Sequence, residues 1–233
     1  MPIETLLLGL SITTLFLLYS FTYLKKFFPL IVGALIIRLI LIFFVEEFGL
    51  FGRADVSDYL RYFIPFSNSG EPFSFFTPHV GFYTLLYPGW IFRAFGEDGL
   101  WLIRLINAII GILCIQPLRW LNKLIFQRDL TLLQAGLILF WPSWLRYTVE
   151  VGRTPPSVFF PILAITGFLS LMSFNKKHND LNLIIISLSA FFFAFYLRTH
   201  YIVYFLPLGF IFILNKLKKT KLSSSAKGVL LMI

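Results

Sequence analysis

Apolar residues run unbroken for long stretches of this chain, and polar residues arrive in short clusters between them. Residues 6–24 are apolar on every face of a helix, so the pattern follows neither the two-residue period of a strand nor a one-sided helical stripe. Such a run predicts a membrane-spanning helix, which needs roughly 20 predominantly apolar residues. Six further runs have the same character: 27–45, 100–118, 130–145, 158–174, 181–197 and 201–214, and another opens at residue 229. An outer-membrane barrel would instead alternate apolar and polar residues over about ten positions. The fold expected is an all-α polytopic transmembrane bundle forming a single domain over residues 1–233.

The longest interruption, residues 46–99, contains a moderately apolar segment at 80–95 whose placement decides the topology. If that segment lies along the membrane surface, the basic groups at Lys25 and Lys26, at Arg119, Lys123 and Arg128, at Lys176 and Lys177, and at 216–221 all share one side. The positive-inside rule makes that side cytoplasmic. Glu46, Glu47, Asp55, Asp58, Glu71, Glu97, Asp98 and Glu150 then gather on the outer side. Tyr83, Tyr87, Trp90 and Trp101 flank the proposed juxtamembrane helix, where amphipathic rings are favoured. The first run has no small-residue cleavage site and continues into Lys25 and Lys26, so it reads as a retained span.

Composition agrees with this pattern: 58% of residues are hydrophobic, 13% are charged and the mean hydropathy is +0.83. That leaves too little polar surface to coat a soluble globule. The net charge of +9 sits between apolar runs rather than on a solvated face beside aromatics, which points to topology and anionic lipid, not nucleic acid. The lone Cys114 excludes an intrachain disulfide. His79, His178 and His200 lack the spacing of a helical zinc site, and no glycine-rich phosphate loop is present.

Three polar groups stand out. In the loop Gly52-Arg53-Ala54-Asp55-Val56-Ser57-Asp58-Tyr59-Leu60-Arg61-Tyr62, Asp55 and Asp58 share one side if the segment is helical. They can then hold a proton, a cation or a hydroxylic substrate, or simply cap a helix and pair with Arg53 or Arg61. Arg38, Arg104 and Arg198 lie in or at the edge of apolar runs, where an unpaired guanidinium costs roughly 2.5–3.5 kcal/mol. Arg104 and Arg198 fall near the outer ends of their spans, where their planar forks suit a lipid phosphate or an acidic neighbour; Arg38 lies deeper and reads as structural. The third group runs from Trp141-Pro142-Ser143-Trp144 to Glu150-Val151-Gly152-Arg153-Thr154-Pro155-Pro156, where Glu150 either pairs with Arg153 or faces the same outer cavity as Asp55.

Several short motifs recur here in a definite order. Asp55 stands four residues before Tyr59, and Gly70-Glu71-Pro72 makes a small-residue turn. Thr77-Pro78-His79-Val80-Gly81-Phe82-Tyr83 leads a segment ending in Phe95-Gly96. Arg104-Leu105, Trp141-Pro142-Ser143 and Leu197-Arg198-Thr199 follow. This series resembles the C-type membrane glycosyltransferases, including the protein O-mannosyltransferases and the lipid A aminoarabinose transferases, over residues 55 to about 214. Thr199 and His79 stand where relatives have proline, and the first span precedes the family's usual start.

The resemblance implies inverting transfer of a sugar from a polyprenyl-phosphate donor to a protein, lipid or glycan acceptor at the outer face of a bacterial or archaeal plasma membrane. Asp55 would be the catalytic base, Arg198 with Arg104 would stabilise the leaving phosphate, and Asp58 and Glu150 would position the acceptor or tune Asp55. Tyr59 and His79 belong to the same substrate-binding set by their motif positions. No cofactor is expected, although some relatives require a divalent metal. Residues 228–233 read as the start of another span, so the chain is expected to be a truncated product, a minimal relative or an inactive descendant that retains the scaffold. Two other readings remain open: a transporter or flippase of lipid-linked glycans, and a non-catalytic membrane subunit.

Overall fold

The computed structural model describes residues 2–49, 60, 63–64, 87–172 and 181–197. Every regular element among them is helical: α1 (Ile3–Tyr23), α2 (Phe28–Phe48), α3 (Tyr87–Phe95), α4 (Leu100–Leu113), α5 (Ile115–Phe126), α6 (Leu132–Phe140), α7 (Pro142–Thr148), α8 (Thr154–Met172) and α9 (Leu181–Leu197). Among the described residues three stretches are long and apolar enough to cross a membrane, namely Ile3–Tyr23, Lys25–Phe48 and Tyr87–Phe126, the signature of an integral membrane protein. The shorter segments Thr154–Ser170 and Ile185–Leu197 are also apolar.

In α1, Ser11, Thr14 and Thr22 each donate to the carbonyl four residues back, at 2.8 Å. These hydroxyls are exposed on the bundle, and bonding to their own helix spares them an unmet donor in hydrocarbon. A 3₁₀ turn at Lys25–Phe27, its flanking Leu24 and Phe27 both buried, reverses the chain into α2. Pro29 in the first turn of α2 removes an N–H that has no helical partner there. At the far end Gly49 takes the left-handed conformation, φ +63°, and returns its N–H to the Val45 carbonyl. Ile31, Ala34, Leu35, Arg38 and Ile42 form the buried stripe of α2, at spacings of three and four.

That stripe packs against α4, the most enclosed helix of the bundle, whose Leu102, Ile103, Leu105, Ala108 and Ile112 are all buried. Small residues set the closest helix approaches. A Cβ at Gly9 would stand 2.2 Å from the Trp101 ring, one at Gly111 would stand 2.2 Å from Thr148 Cγ2, and one at Gly167 would meet Ser187 Oγ at 1.8 Å. Between α8 and α9, Ala164, Ala190 and Ala194 continue this close seam, with Phe160 stacked on Phe193.

Among the described residues the helix boundaries depart from the apolar runs at four main points, the first being that α2 continues through Glu46 and Glu47 to Phe48, beyond the run at 27–45 and into the stretch expected as loop. The run at 100–118 breaks at Cys114, which ends α4 and begins α5, and Pro117 lies in the first turn of α5. The run at 130–145 is two short helices, because Trp141 turns extended before Pro142. The run at 158–174 begins earlier, since Thr154, Pro155 and Pro156 open α8, where proline needs no intrahelical N–H partner.

The bundle has two chemically distinct ends. Arg119 Nη1 donates to the Tyr23 carbonyl and Lys26 Nζ donates to the Leu130 carbonyl at 2.6 Å. The α1–α2 turn and the α5–α6 connection therefore meet at a basic end. Trp101 Nε1 donates to Thr5 Oγ1, and Glu46 pairs with Arg104, so the start of α1, the end of α2 and the start of α4 meet at the opposite, acidic end.

Candidate functional site

Asp55, Asp58, Tyr59, His79 and Arg198 lie outside the described residues, whereas Arg104 and Glu150 both fall at the acidic end of the bundle. Arg104 lies in the first turns of α4 and is 4% exposed. Its Nη1 is ion-paired with the Glu46 carboxylate near the end of α2. A carboxylate in the last turn of a helix opposes the helix dipole, and the guanidinium offsets that repulsion. The Arg104 Nε–H is buried and has no hydrogen-bond partner among the described residues. Glu150 acts on the same guanidinium through its charge.

Asn107, one turn along α4 on the same face, organises the rest of the site. Its Oδ1 accepts from the Tyr87 hydroxyl, while its Nδ2 donates to the Glu150 carbonyl at 2.7 Å and the Gly152 carbonyl at 2.9 Å. The amide is fully buried and uses both donors and its acceptor. It fastens the α7–α8 connection and the start of α3 to α4, and thereby sets where Glu150 stands. The Glu150 carboxylate, largely buried, accepts from Arg146 Nε at 3.1 Å across one helical turn. Arg153 Nη1 donates to the Leu197 carbonyl at 3.0 Å, which brings the end of α9 to the same region.

Beneath these polar groups the floor is apolar. Phe63 stacks on Phe92 with ring centroids 4.8 Å apart, and Val151, Ile103 and Leu197 join them. Ile42, Ala108 and Val149 form a second patch under Trp101. A low-dielectric floor strengthens the attraction between Arg104 and any anion that reaches it. At the rim, Glu47 follows Glu46, and Glu97 and Asp98 lie in the 3₁₀ turn Gly96–Gly99 just before α4.

Arg38, in contrast, is consumed by structure. Its Nε donates to Thr148 Oγ1 at 2.9 Å, Nη1 to the Ala34 carbonyl at 3.1 Å and Nη2 to the Leu139 carbonyl at 3.0 Å. Fully buried, it joins α2 to the α6–α7 break, where a helix interruption has freed carbonyls.

Sequence reasoning did not single out Asn107, nor Glu46 as the partner of Arg104. Asn107 carries a visible signal, an amide in an apolar run three residues after an arginine and so on its face. The Glu46–Arg104 pairing joins two helices far apart in sequence and leaves no local trace. No protein-family model, curated protein or solved structure matches this chain. Its class, an integral membrane protein with a helical bundle and a charged cluster at one end, therefore rests on fold and site alone.

Proposed function

We propose that the chain is a polytopic membrane glycosyltransferase that moves a sugar from a polyprenyl-phosphate donor to an acceptor at the outer face of the membrane. The observation behind this reading is Arg104: a buried guanidinium, held at one end of the bundle by Glu46 near an apolar floor, with its Nε–H unmet among the described residues. A phosphate leaving group carried by a lipid needs such a donor close to the hydrocarbon, because hydrogen bonds aimed at developing charge act most strongly where water is excluded. Glu150, held beside Arg104 by Asn107, limits how closely a second anion approaches and selects its orientation.

The orientation follows from charge. Lys26, Arg119 and Lys123 meet at the basic end, which supports placing that end in the cytoplasm and the Arg104 end outside. In this scheme Asp55 deprotonates the acceptor hydroxyl or amine as it attacks the anomeric carbon. The bond from that carbon to the phosphate oxygen breaks with inversion, and Arg104 with Arg198 takes up the charge on the departing polyprenyl phosphate. Asp58, Tyr59 and His79 hold the substrates.

The test is transfer of radiolabelled sugar from a panel of polyprenyl-phosphate donors in membranes carrying matched amounts of wild type, Arg104→Gln and Asp55→Asn. Transfer by wild type with at least a hundredfold loss in Arg104→Gln is expected, the scale for removing one charge-stabilising donor. Wild type that inserts normally but transfers nothing would move the assignment to a flippase or a non-catalytic scaffold.

A further inference from the structure

A cavity lies away from this site. It is a groove of about 810 Å³ between α1, α4, α5 and α8, bordered by Ile186 of α9 and running from mid-bundle to the basic end. Its walls are mostly aliphatic and aromatic, among them Leu15, Phe16, Leu113, Phe159 and Leu163. From Phe159 to Ser170 it follows α8 for eleven residues, about 16 Å at 1.5 Å per residue. That is close to half of the roughly 30 Å hydrocarbon core, the depth of one leaflet.

Polar character is confined to particular points. At the basic end Tyr19, Trp120 and Lys123 line the mouth, an amphipathic pair of rings beside an ammonium, as at a headgroup layer. Lys123 is half exposed, and its nearest acid, Asp129, lies 3.5 Å away. Arg119 Nε already bonds both Asp129 oxygens, at 2.8 and 3.0 Å. Asp129 is thus engaged by a shorter partner, and the Lys123 ammonium faces the mouth with donors to spare. Deeper in, Gln116 lines the wall, nine-tenths buried, with its Oε1 unpartnered among the described residues. A buried unmet amide oxygen in a groove calls for a hydroxyl or a bridging water from the occupant.

We infer that this groove holds one anionic phospholipid of the leaflet facing the basic end, with an acyl chain along α8, its ester carbonyls linked to Gln116 Oε1 through a bridging water that donates to both, and the phosphate at Lys123. Basic pockets between membrane helices on the cytoplasmic side recognise anionic headgroups by this combination of charge and apolar seat. The occupant is a single-leaflet lipid because the groove stops at mid-bundle. The inference requires only membrane insertion and stands whether or not the chain transfers sugar.

The full chain would be reconstituted in nanodiscs of equal phosphatidylglycerol and phosphatidylcholine, and lipid retained after release would be counted by native mass spectrometry. Wild type should keep one lipid, predominantly phosphatidylglycerol. Lys123→Gln should lower the ratio of phosphatidylglycerol to phosphatidylcholine retained by about fivefold, and Leu163→Trp, which fills the groove, should abolish retention of both. If Leu163→Trp fails to fold, as judged by its unfolding transition, Leu15→Trp on the exposed lip gives the same reading. Wild-type retention in the filled variant, or an unchanged headgroup ratio in Lys123→Gln, overturns the inference. Displacement of the lipid by an equal concentration of polyprenyl phosphate also overturns it, assigning the groove to that chain.

Discussion

Two arginines are buried among the described residues, Arg38 and Arg104, and their surroundings differ in kind. Arg38 meets only neutral groups, two carbonyls and a hydroxyl, and these use its Nε and both terminal nitrogens. Arg104 meets carboxylates, an ion pair with Glu46 and the nearby charge of Glu150, and its Nε has no partner among the described residues. A guanidinium ringed by neutral acceptors at a helix break is a tie between elements. One held by a carboxylate with a donor unspent can still receive an anion. Burial alone does not separate structure from site; the remaining hydrogen-bonding capacity does.

The sharpest way to break this contrast is to truncate Arg38. Arg38→Ala leaves a cavity and strands the Leu139 carbonyl, so we expect a loss of about 3 kcal/mol or more, read as a fall in the unfolding temperature of the purified protein. Arg104→Gln should leave that temperature much closer to wild type while removing transfer, and equal destabilisation by the two would erase the distinction.

A smaller effect tests the seam that positions Arg38's partner. Gly111→Ala would push a methyl into Thr148 Cγ2, at 2.2 Å, and should cost about 1–3 kcal/mol. Combining it with Thr148→Ser, which removes the clashing methyl and keeps the hydroxyl for Arg38, should restore part of the loss. Failure of the double variant to recover would show that the close approach is not set by this contact.

The smallest effect lies at the basic end, where Asp129 is exposed enough for solvent to screen it. The hydrogen bond from Arg119 holds its carboxyl down to about 2, below the ordinary aspartate value near 3.9. A carboxyl lowered by folding stabilises the fold above about pH 4, and that contribution fades as the pH falls towards about 2. Asp129→Asn should therefore lower stability by under about 1 kcal/mol at pH 6, with the gap to wild type closing by about pH 2 in parallel thermal melts.

Much of the helical layout could be read directly along the chain. The run at 181–197 coincides with α9, whereas the Thr131–Gln134 capping box that opens α6, with both reciprocal bonds present, was not singled out. The proline of Trp141-Pro142 signals a helix end, yet the run at 130–145 reads through it as one span, and nothing apolar or polar distinguishes Cys114, where α4 passes into α5. Of the candidate site, Arg104 and Glu150 were visible as charges beside apolar runs, and the structure brings them to one end. Asp55, Asp58, Tyr59, His79 and Arg198 lie outside the described residues.

Hydropathy determined that this chain enters a membrane and roughly which described stretches are helical, because the cost of exposing backbone polar groups to lipid is local and acts on each segment separately. The charges flanking those segments marked its two ends for the same local reason. Which groups meet at an end was decided only by packing. The Glu46–Arg104 pair, the Asn107 amide bridging to residues 150 and 152, and the groove closed by α1 and α8 each join elements distant in sequence. Such contacts arise from the fit of facing side chains, down to a missing methyl at Gly9 or Gly111, and that fit exists only once the helices have come together.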